Sequence, residues 1–286
     1  MSIIGANGVL GLSIDLWIWL IGIAATLIAL AVFISTSAWR SRSILGPPRL
    51  PPDEPIGPFA FIMVGGLSLW MLVPVLILKL LHRGVRLENI KPTPAETVIL
   101  GIIGGAVPLF FMLLGTLTRR QRGLATLGFT SGDFNKAFPP AIAGTVFILP
   151  VVGWAALLAD WLMRKYQIEH PMKHELLEIM DEAPSKLLKL MIVFGAVIVA
   201  PLFEEFLFRG HIQTLIARLT RRPWMAVILT SILFSLVHHW SIWLPIFILS
   251  ICLGYMYERT GNLWVAVLMH AMFNGLSIIM SNFGPH

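Results

Sequence analysis

Long apolar runs recur along the whole chain, and they limit its possible folds more than any other feature. A helix needs about 20 mainly apolar residues to cross the hydrocarbon core of a bilayer. Eight runs are candidate spans, although the sixth and seventh are short: 16–36, 59–80, 97–117, 140–162, 187–208, 224–240, 243–257 and 262–281. Because lipid offers backbone polar groups no hydrogen-bond partner, these runs must be helices rather than open strands. We therefore predict an all-α, polytopic transmembrane bundle of about eight helices.

Composition excludes a water-soluble protein. Only 13% of the 286 residues are charged, about half the fraction found in soluble domains, and 57% are hydrophobic. The net charge of +6 comes from basic clusters between the apolar runs, for example Arg119, Arg120 and Arg122. Such clusters typically face lipid headgroups. We predict the bilayer as a partner, no nucleic acid, and a multi-pass integral membrane location, which is the plasma membrane if the host is bacterial.

Polar content divides the chain into two regions. Residues 1–162 hold the first four predicted spans, which carry no charge deep within them, and no role is assigned to these helices. Residues 163–286 begin with an amphipathic segment, in which Leu177 and Met180 lie on one helical face and Glu178 and Asp181 on the other. We predict that this segment lies at the membrane interface. The later spans then hold every deep polar residue discussed below.

The predicted span 187–208 contains two adjacent glutamates, Glu204 and Glu205, near its end. Arg209 follows Glu205 by four residues, so the two side chains lie about 40° apart on a helix and can pair. Arg209 lies about 140° from Glu204 and cannot serve both carboxylates equally. A purely structural Glu–Arg pair would explain Glu205 and Arg209, but it leaves Glu204 without a local partner. Because charges within a membrane are costly, we predict that Glu204 faces a polar cavity and has a functional role.

Imidazole and amide groups occur on two further spans. His238 and His239 end the sixth predicted span, and His270 and Asn274 share one face of the eighth. Each group alone is as well explained by interfacial contact or by hydrogen bonding between helices. Together, they and Glu204 can satisfy one another only by converging. A carboxylate and an imidazole can activate a water, and a His–Asn pair can stabilise an oxyanion, which together suit hydrolysis of a carbonyl compound.

The three segments resemble the CPBP family, which includes the type II CAAX prenyl proteases and bacteriocin-processing or immunity proteins. The family pattern is EExxxR, FxxxH and HxxxN on successive transmembrane helices. This chain has Glu204-Glu205 with Arg209, Phe234 with His238, and His270 with Asn274, in that order. The resemblance covers about residues 170–281, including HELLEIM at 174–180, and makes 163–286 the predicted catalytic region. We expect its spans to form a conical polar cavity.

The resemblance implies a role for each matched residue. Glu204 and His238 would activate the water, and His270 and Asn274 would stabilise the oxyanion. Glu205 and Arg209 would orient the first motif. Both metal-dependent and metal-free mechanisms are described for the family. We expect no cofactor, since no HExxH helix occurs, but Glu204, His238 and His270 could supply a zinc site.

These observations lead to a functional hypothesis and two alternatives. The main hypothesis is an intramembrane endopeptidase of the CAAX prenyl protease type that cuts a hydrophobic or prenylated peptide or protein substrate. One alternative is a zinc-dependent metalloendopeptidase that uses the same residues. The other is a non-enzymatic membrane protein, either a transporter or an immunity protein. Internal repeats would favour a transporter, and none is visible in the sequence.

Overall fold

The computed structural model describes residues 55–118, 123–168, 175–183 and 185–283, and the regular structure within these ranges is helical. The first predicted span, 16–36, lies outside the described residues. The helices are α1 Ile56–Leu81, α2 Pro94–Leu117, α3 Ser131–Lys165, α4 Glu175–Glu182, α5 Lys186–Thr220, α6 Pro223–Leu236, α7 Trp243–Thr260 and α8 Leu263–Phe283. A short 3₁₀ turn, Trp240–Ile242, directly precedes α7.

Six of the described helices are long and apolar enough to cross a membrane: α1, α2, α3, α5, α7 and α8. This confirms the prediction of an all-α, multi-pass integral membrane protein. The predicted sixth span, 224–240, needs correction. Helix α6 ends at Leu236 and has 14 residues, which corresponds to about 21 Å against a hydrocarbon core of about 30 Å. Residues 237–239 therefore follow α6 without extending it to a full span.

Helix α5 contains two π-helical segments, Gly195–Val199 and Phe206–Gln213. Between them lies a short α-helical segment, Ala200–Glu205, which carries the two glutamates. A π segment changes the angular relation between residues before and after it, and such segments are frequent at functional sites. The two segments thus determine the directions in which the polar side chains of α5 leave the helix.

The amphipathic segment forms the short helix α4. Met180 is buried and packs with Val98 of α2 and with Leu188 and Ile192 of α5, whereas Glu178 is exposed. The separation of apolar and polar faces therefore agrees with the sequence pattern. Its position at the membrane interface stays a prediction.

A tight backbone contact joins the turn before α3 to the turn before α8. Gly128 has a positive φ of 64°, and its carbonyl accepts a hydrogen bond of 3.1 Å from the Leu263 backbone N–H. An added Cβ would collide with the carbonyl oxygen of Gly261 and would lie 2.8 Å from the Cα of Asn262. The turns can approach each other this closely only because residue 128 is glycine.

We expect Gly128→Ala to lower the free energy of unfolding by at least about 1–2 kcal/mol. The positive φ alone has this cost for an L-residue, and the backbone collision adds to it. Thermal unfolding in detergent measures the change. Gly153→Ala is the matched control, because Gly153 is exposed within α3 and its added Cβ meets no atom within 4 Å. Equal effects of the two substitutions would contradict the expectation.

Candidate active site

A buried ion pair lies at the centre of α5. The Arg209 guanidinium donates from Nη1 to Glu205 Oε1 at 2.8 Å, and both side chains are fully buried. Its Nη2 donates to the backbone oxygen and to Oγ of Ser250 on α7, at 3.1 and 2.7 Å. The guanidinium also lies over the ring of Phe234, 4.5 Å from its centroid. Contacts with α6 and α7 thus fix Arg209, which in turn holds the Glu205 carboxylate.

His270 of α8 is the second partner of Glu205. Its Nδ1 lies 2.8 Å from Glu205 Oε1, the oxygen that already accepts from Arg209. Because that oxygen is an acceptor, the imidazole Nδ1–H is the donor. This hydrogen bond orients the ring so that Nε2 points to Glu204, with an Nε2–Oε2 separation of 3.9 Å.

His238 is oriented in the same way by the backbone. Its Nδ1 lies 2.7 Å from the carbonyl oxygen of Phe234, which can only accept, so Nδ1 carries the hydrogen. Nε2 is left 4.0 Å from Glu204 Oε2. The neighbouring His239 is exposed and contacts Ser241. Of the two adjacent histidines, only His238 therefore turns inward.

Glu204 of α5 lies near both His270 of α8 and His238, which follows α6. Its Oε2 is buried and has no hydrogen-bond partner within the described part of the chain, although the side chain is 18% exposed. A buried carboxylate oxygen without a hydrogen-bond partner destabilises the folded protein. The separations of 3.9 and 4.0 Å are too long for direct hydrogen bonds. They fit a water that lies about 2.8 Å from the Glu204 oxygen and about 2.8 Å from an imidazole nitrogen. The geometry thus suits a bridging water.

The same three side chains fit a tetrahedral zinc ion less well. Zinc bonds of about 2.0–2.1 Å at tetrahedral angles place neighbouring ligand atoms about 3.3–3.4 Å apart. The Glu204 oxygen lies 3.9–4.0 Å from each imidazole nitrogen. Among the described residues, no group of three His, Cys, Asp or Glu side chains is arranged to hold a metal ion. Zinc would require the two imidazoles to move toward Glu204.

Asn274 lies one turn after His270 on α8, but its amide already has a partner. Nδ2 donates to the carbonyl oxygen of Ala196 at 2.8 Å, within the first π segment of α5. This contact uses one of the two amide hydrogens and leaves the other for a ligand. The structure therefore brings Glu204, His238 and His270 together, whereas Asn274, one turn further along α8, is bonded to α5.

Sequence reasoning missed one residue of the site, Ser250, and the particular rings that Phe234 contacts. Ser250 looks like an ordinary small residue in an apolar run, and only its contacts with Arg209 reveal its role. Phe234 belongs to the second motif, and the resemblance implies that it is a packing residue. It is fully buried, with its ring centroid 4.7 Å from that of His238 and 5.9 Å from that of His270. The spacing of a single helix could not have indicated these contacts between helices.

A comparison with family models matches the region that carries this site. A family model described as type II CAAX prenyl endopeptidase Rce1-like matches residues 186–276, from the start of α5 into α8. UPF0177 protein YxdF of Lactococcus lactis subsp. lactis is 34% identical over 79 residues, 27% of this chain and 42% of that protein. The uncharacterized protein YpbD of Bacillus subtilis is 33% identical over 85 residues, 30% of this chain and 42% of that protein.

The match is confined to one part of the chain. The alignments span less than half the length of each curated relative. No solved structure was found to match. The family match nevertheless contains each of the six residues predicted for the site, Glu204, Glu205, Arg209, His238, His270 and Asn274. Residues 186–276 of this multi-pass membrane protein are therefore an Rce1-like domain of the type II CAAX prenyl endopeptidase family.

Proposed function

We propose that the protein is an intramembrane endopeptidase that hydrolyses a peptide bond with a water held by Glu204. The observation that carries this proposal is the buried Oε2 of Glu204, which faces two oriented imidazole nitrogens at 3.9 and 4.0 Å. Glu205 differs because its Oε1 is bonded directly to Arg209 and His270, although its Oε2 is also buried without a hydrogen-bond partner among the described residues. Glu204 instead lies 3.9–4.0 Å from each imidazole nitrogen, a separation that a water beside each pair of atoms can bridge.

The first step is the attack by water. With Nδ1 of His238 donating to Phe234, Nε2 of the neutral ring is an acceptor. A water between Glu204 and His238 can donate one hydrogen to each. Glu204 takes a proton while the water oxygen bonds to the carbonyl carbon, and the carbonyl π electrons move to its oxygen. His238 accepts a hydrogen bond from the water's other hydrogen, which stays on the oxygen, and so fixes the direction of attack.

His270 and Asn274 can stabilise the oxyanion that results. His270 can donate from Nε2 when both ring nitrogens carry hydrogen, and the Glu205 carboxylate at Nδ1 stabilises that cationic ring. Asn274 can offer its second amide hydrogen. When the intermediate collapses, the C–N bond breaks and the leaving nitrogen takes the proton from Glu204. The products are a new carboxyl group and a new amino group.

The substrate class follows from the position of the site. Glu204 and His270 lie on α5 and α8, which can span the membrane, and His238 follows the end of the shorter α6. A substrate must bring its scissile bond to these membrane helices, so hydrophobic or prenylated peptides and proteins are the favoured class. A prenylated substrate requires a host that prenylates proteins.

Cleavage by the purified protein tests the proposal. In detergent, the wild-type protein is expected to cut membrane-anchored and prenylated test peptides, with both fragments detected by mass spectrometry. We expect cleavage to survive dialysis against a chelator, since the spacing of the three side chains fits a water better than zinc. Elemental analysis of the active protein provides the second measurement.

Other outcomes identify the alternatives. Stoichiometric zinc that is lost together with activity in His238→Ala would support the metalloendopeptidase. Absence of cleavage, combined with ion-dependent uptake into liposomes, would replace the peptidase by a transporter. Absence of both would favour a non-enzymatic immunity protein.

A further inference from the structure

His211 is a fully buried histidine that the proposed water activation does not use. It lies two residues after Arg209, within the π segment Phe206–Gln213, and belongs to none of the three motifs. Burying a polar ring within a membrane protein needs a compensating set of contacts. The contacts of His211 reach in two directions, toward the site and toward the N-terminal helices.

The contact toward the site spans the start of the π segment. His211 Nδ1 lies 2.9 Å from the carbonyl oxygen of Phe206, five residues earlier. Because a carbonyl only accepts, Nδ1 is the donor, and Nε2 of the neutral ring carries a lone pair. The hydrogen bond closes a loop over residues 206–211, and Arg209 lies inside that loop. A change in this bond would therefore alter the turn from which the guanidinium extends.

The opposite side of the ring meets helices outside the matched domain. It stacks on Phe59 of α1, with ring centroids 4.7 Å apart and an angle of 22° between the planes. Its Nε2 lies 3.5 Å from Oγ1 of Thr116 on α2, a long contact in which the hydroxyl donates. Phe59 and Thr116 are both fully buried. His211 therefore connects α1 and α2 to the π segment of α5.

We propose that His211 is a positioning residue: it fixes the turn carrying Arg209 against α1 and α2, and so sets the positions of Glu205 and His270. The path consists of contacts already described, from His211 to the turn, from Arg209 to Glu205 and from Glu205 to His270. This gives the N-terminal helices a part in the reaction. A test of this role by peptide cleavage rests on the proposed peptidase function. A test that follows the positions of Glu205 and His270 does not.

Three substitutions separate the hydrogen bond from the packing. His211→Phe keeps the ring on Phe59 but leaves the Phe206 carbonyl without its donor. His211→Asn places an amide N–H where Nδ1 was and removes most of the ring. His211→Gln places its amide near the Nε2 position, toward Thr116. His82→Phe is the control, because His82 lies in the loop after α1 and its described partner is Glu96, far from Glu204 in the chain.

We expect kcat to fall at least about tenfold in His211→Phe and His211→Gln, with KM changed less than twofold, because small displacements of reacting groups lower the rate strongly. His211→Asn should stay within about threefold of wild type, although its thermal stability should fall. His82→Phe should match wild type. Equal kcat in His211→Phe and wild type, or equal losses in His211→Phe and His211→Asn, would overturn the proposal.

A second readout does not depend on catalysis. In ¹⁵N-histidine-labelled protein, the hydrogen-bonded Nδ1–H of His270 should give a downfield proton signal that is absent in His270→Gln. We expect this signal to shift in His211→Phe and to keep its position in His211→Asn. An unchanged signal in His211→Phe would overturn the positioning role. If the wild-type protein cleaves no peptide while the signals behave as expected, the peptidase function fails and the role of His211 stands.

Discussion

Replacing Glu204 by glutamine is expected to lower kcat/KM for peptide cleavage by about 10²- to 10⁴-fold. Removal of a general base has an effect of this size. Glutamine keeps the length and shape of the side chain, so the loss would come from its inability to take a proton from water. The substitution also replaces one acceptor oxygen by an N–H₂ donor, which should reverse the hydrogen bonds of a bridging water. Initial rates on a cleavable peptide measure the change.

The control is Glu88→Gln, at an exposed carboxylate in the loop between α1 and α2 whose described ion pair with Arg86 is 3.6 Å long and exposed. Its activity should equal that of wild type. A Glu204→Gln protein that is folded by circular dichroism and cleaves at the wild-type rate would exclude Glu204 as the base. The same result would remove the main support for a metal-free hydrolysis.

Local periodicity explains why the ion pair of the first motif could be predicted. Glu205 and Arg209 are four residues apart in the sequence, and their 2.8 Å contact lies within one helix. The pair is found even though Arg209 lies in a π segment. Apolar run length predicted the long helices for a similar reason, since the length of a span is a property of one segment. Helix α6 was overestimated because the apolar residues Val237 and Trp240 continue its apolar run beyond its helical end.

Contacts between distant segments were not predictable in the same way. The hydrogen bond from His270 to Glu205 joins residues 65 positions apart, and that from Arg209 to Ser250 joins residues 41 apart. A hydrophobic pattern determines which face of a helix is apolar but not which neighbour it meets. The π segments were also missed, since local helix propensity hardly distinguishes them from α-helix. Convergence of the three motifs could be predicted only from energetics, because placing polar groups in lipid without partners costs free energy.

Arg209→Met is expected to lower the free energy of unfolding by about 3–5 kcal/mol, the usual effect of removing one partner from a buried ion pair. The Glu205 carboxylate would remain buried and would lose a charge-assisted hydrogen bond of 2.8 Å. The oxygen and hydroxyl of Ser250 would also lose their described donor. Denaturant-induced unfolding of the purified protein in micelles measures the loss.

The exposed pair on α3 provides the matched control. Arg164 donates to Asp160 at 2.8 Å with the same i,i+4 spacing, but these side chains are 65% and 38% exposed. Arg164→Met should change stability by about 0.5 kcal/mol or less, because water screens exposed charges. Equal losses in the two variants would show that burial adds nothing to the pair.

The double variant Glu205→Gln with Arg209→Met separates stability from positioning. Removing both charges eliminates the uncompensated carboxylate, so we expect the double variant to be more stable than Arg209→Met alone. Catalysis should not recover with it, because a neutral amide holds the Nδ1–H of His270 less firmly than a carboxylate does. If both stability and catalysis recover, the two charged groups only compensate each other's burial and have no role in catalysis. If only stability recovers, the Glu205–Arg209 pair is needed to orient His270 beside Glu204.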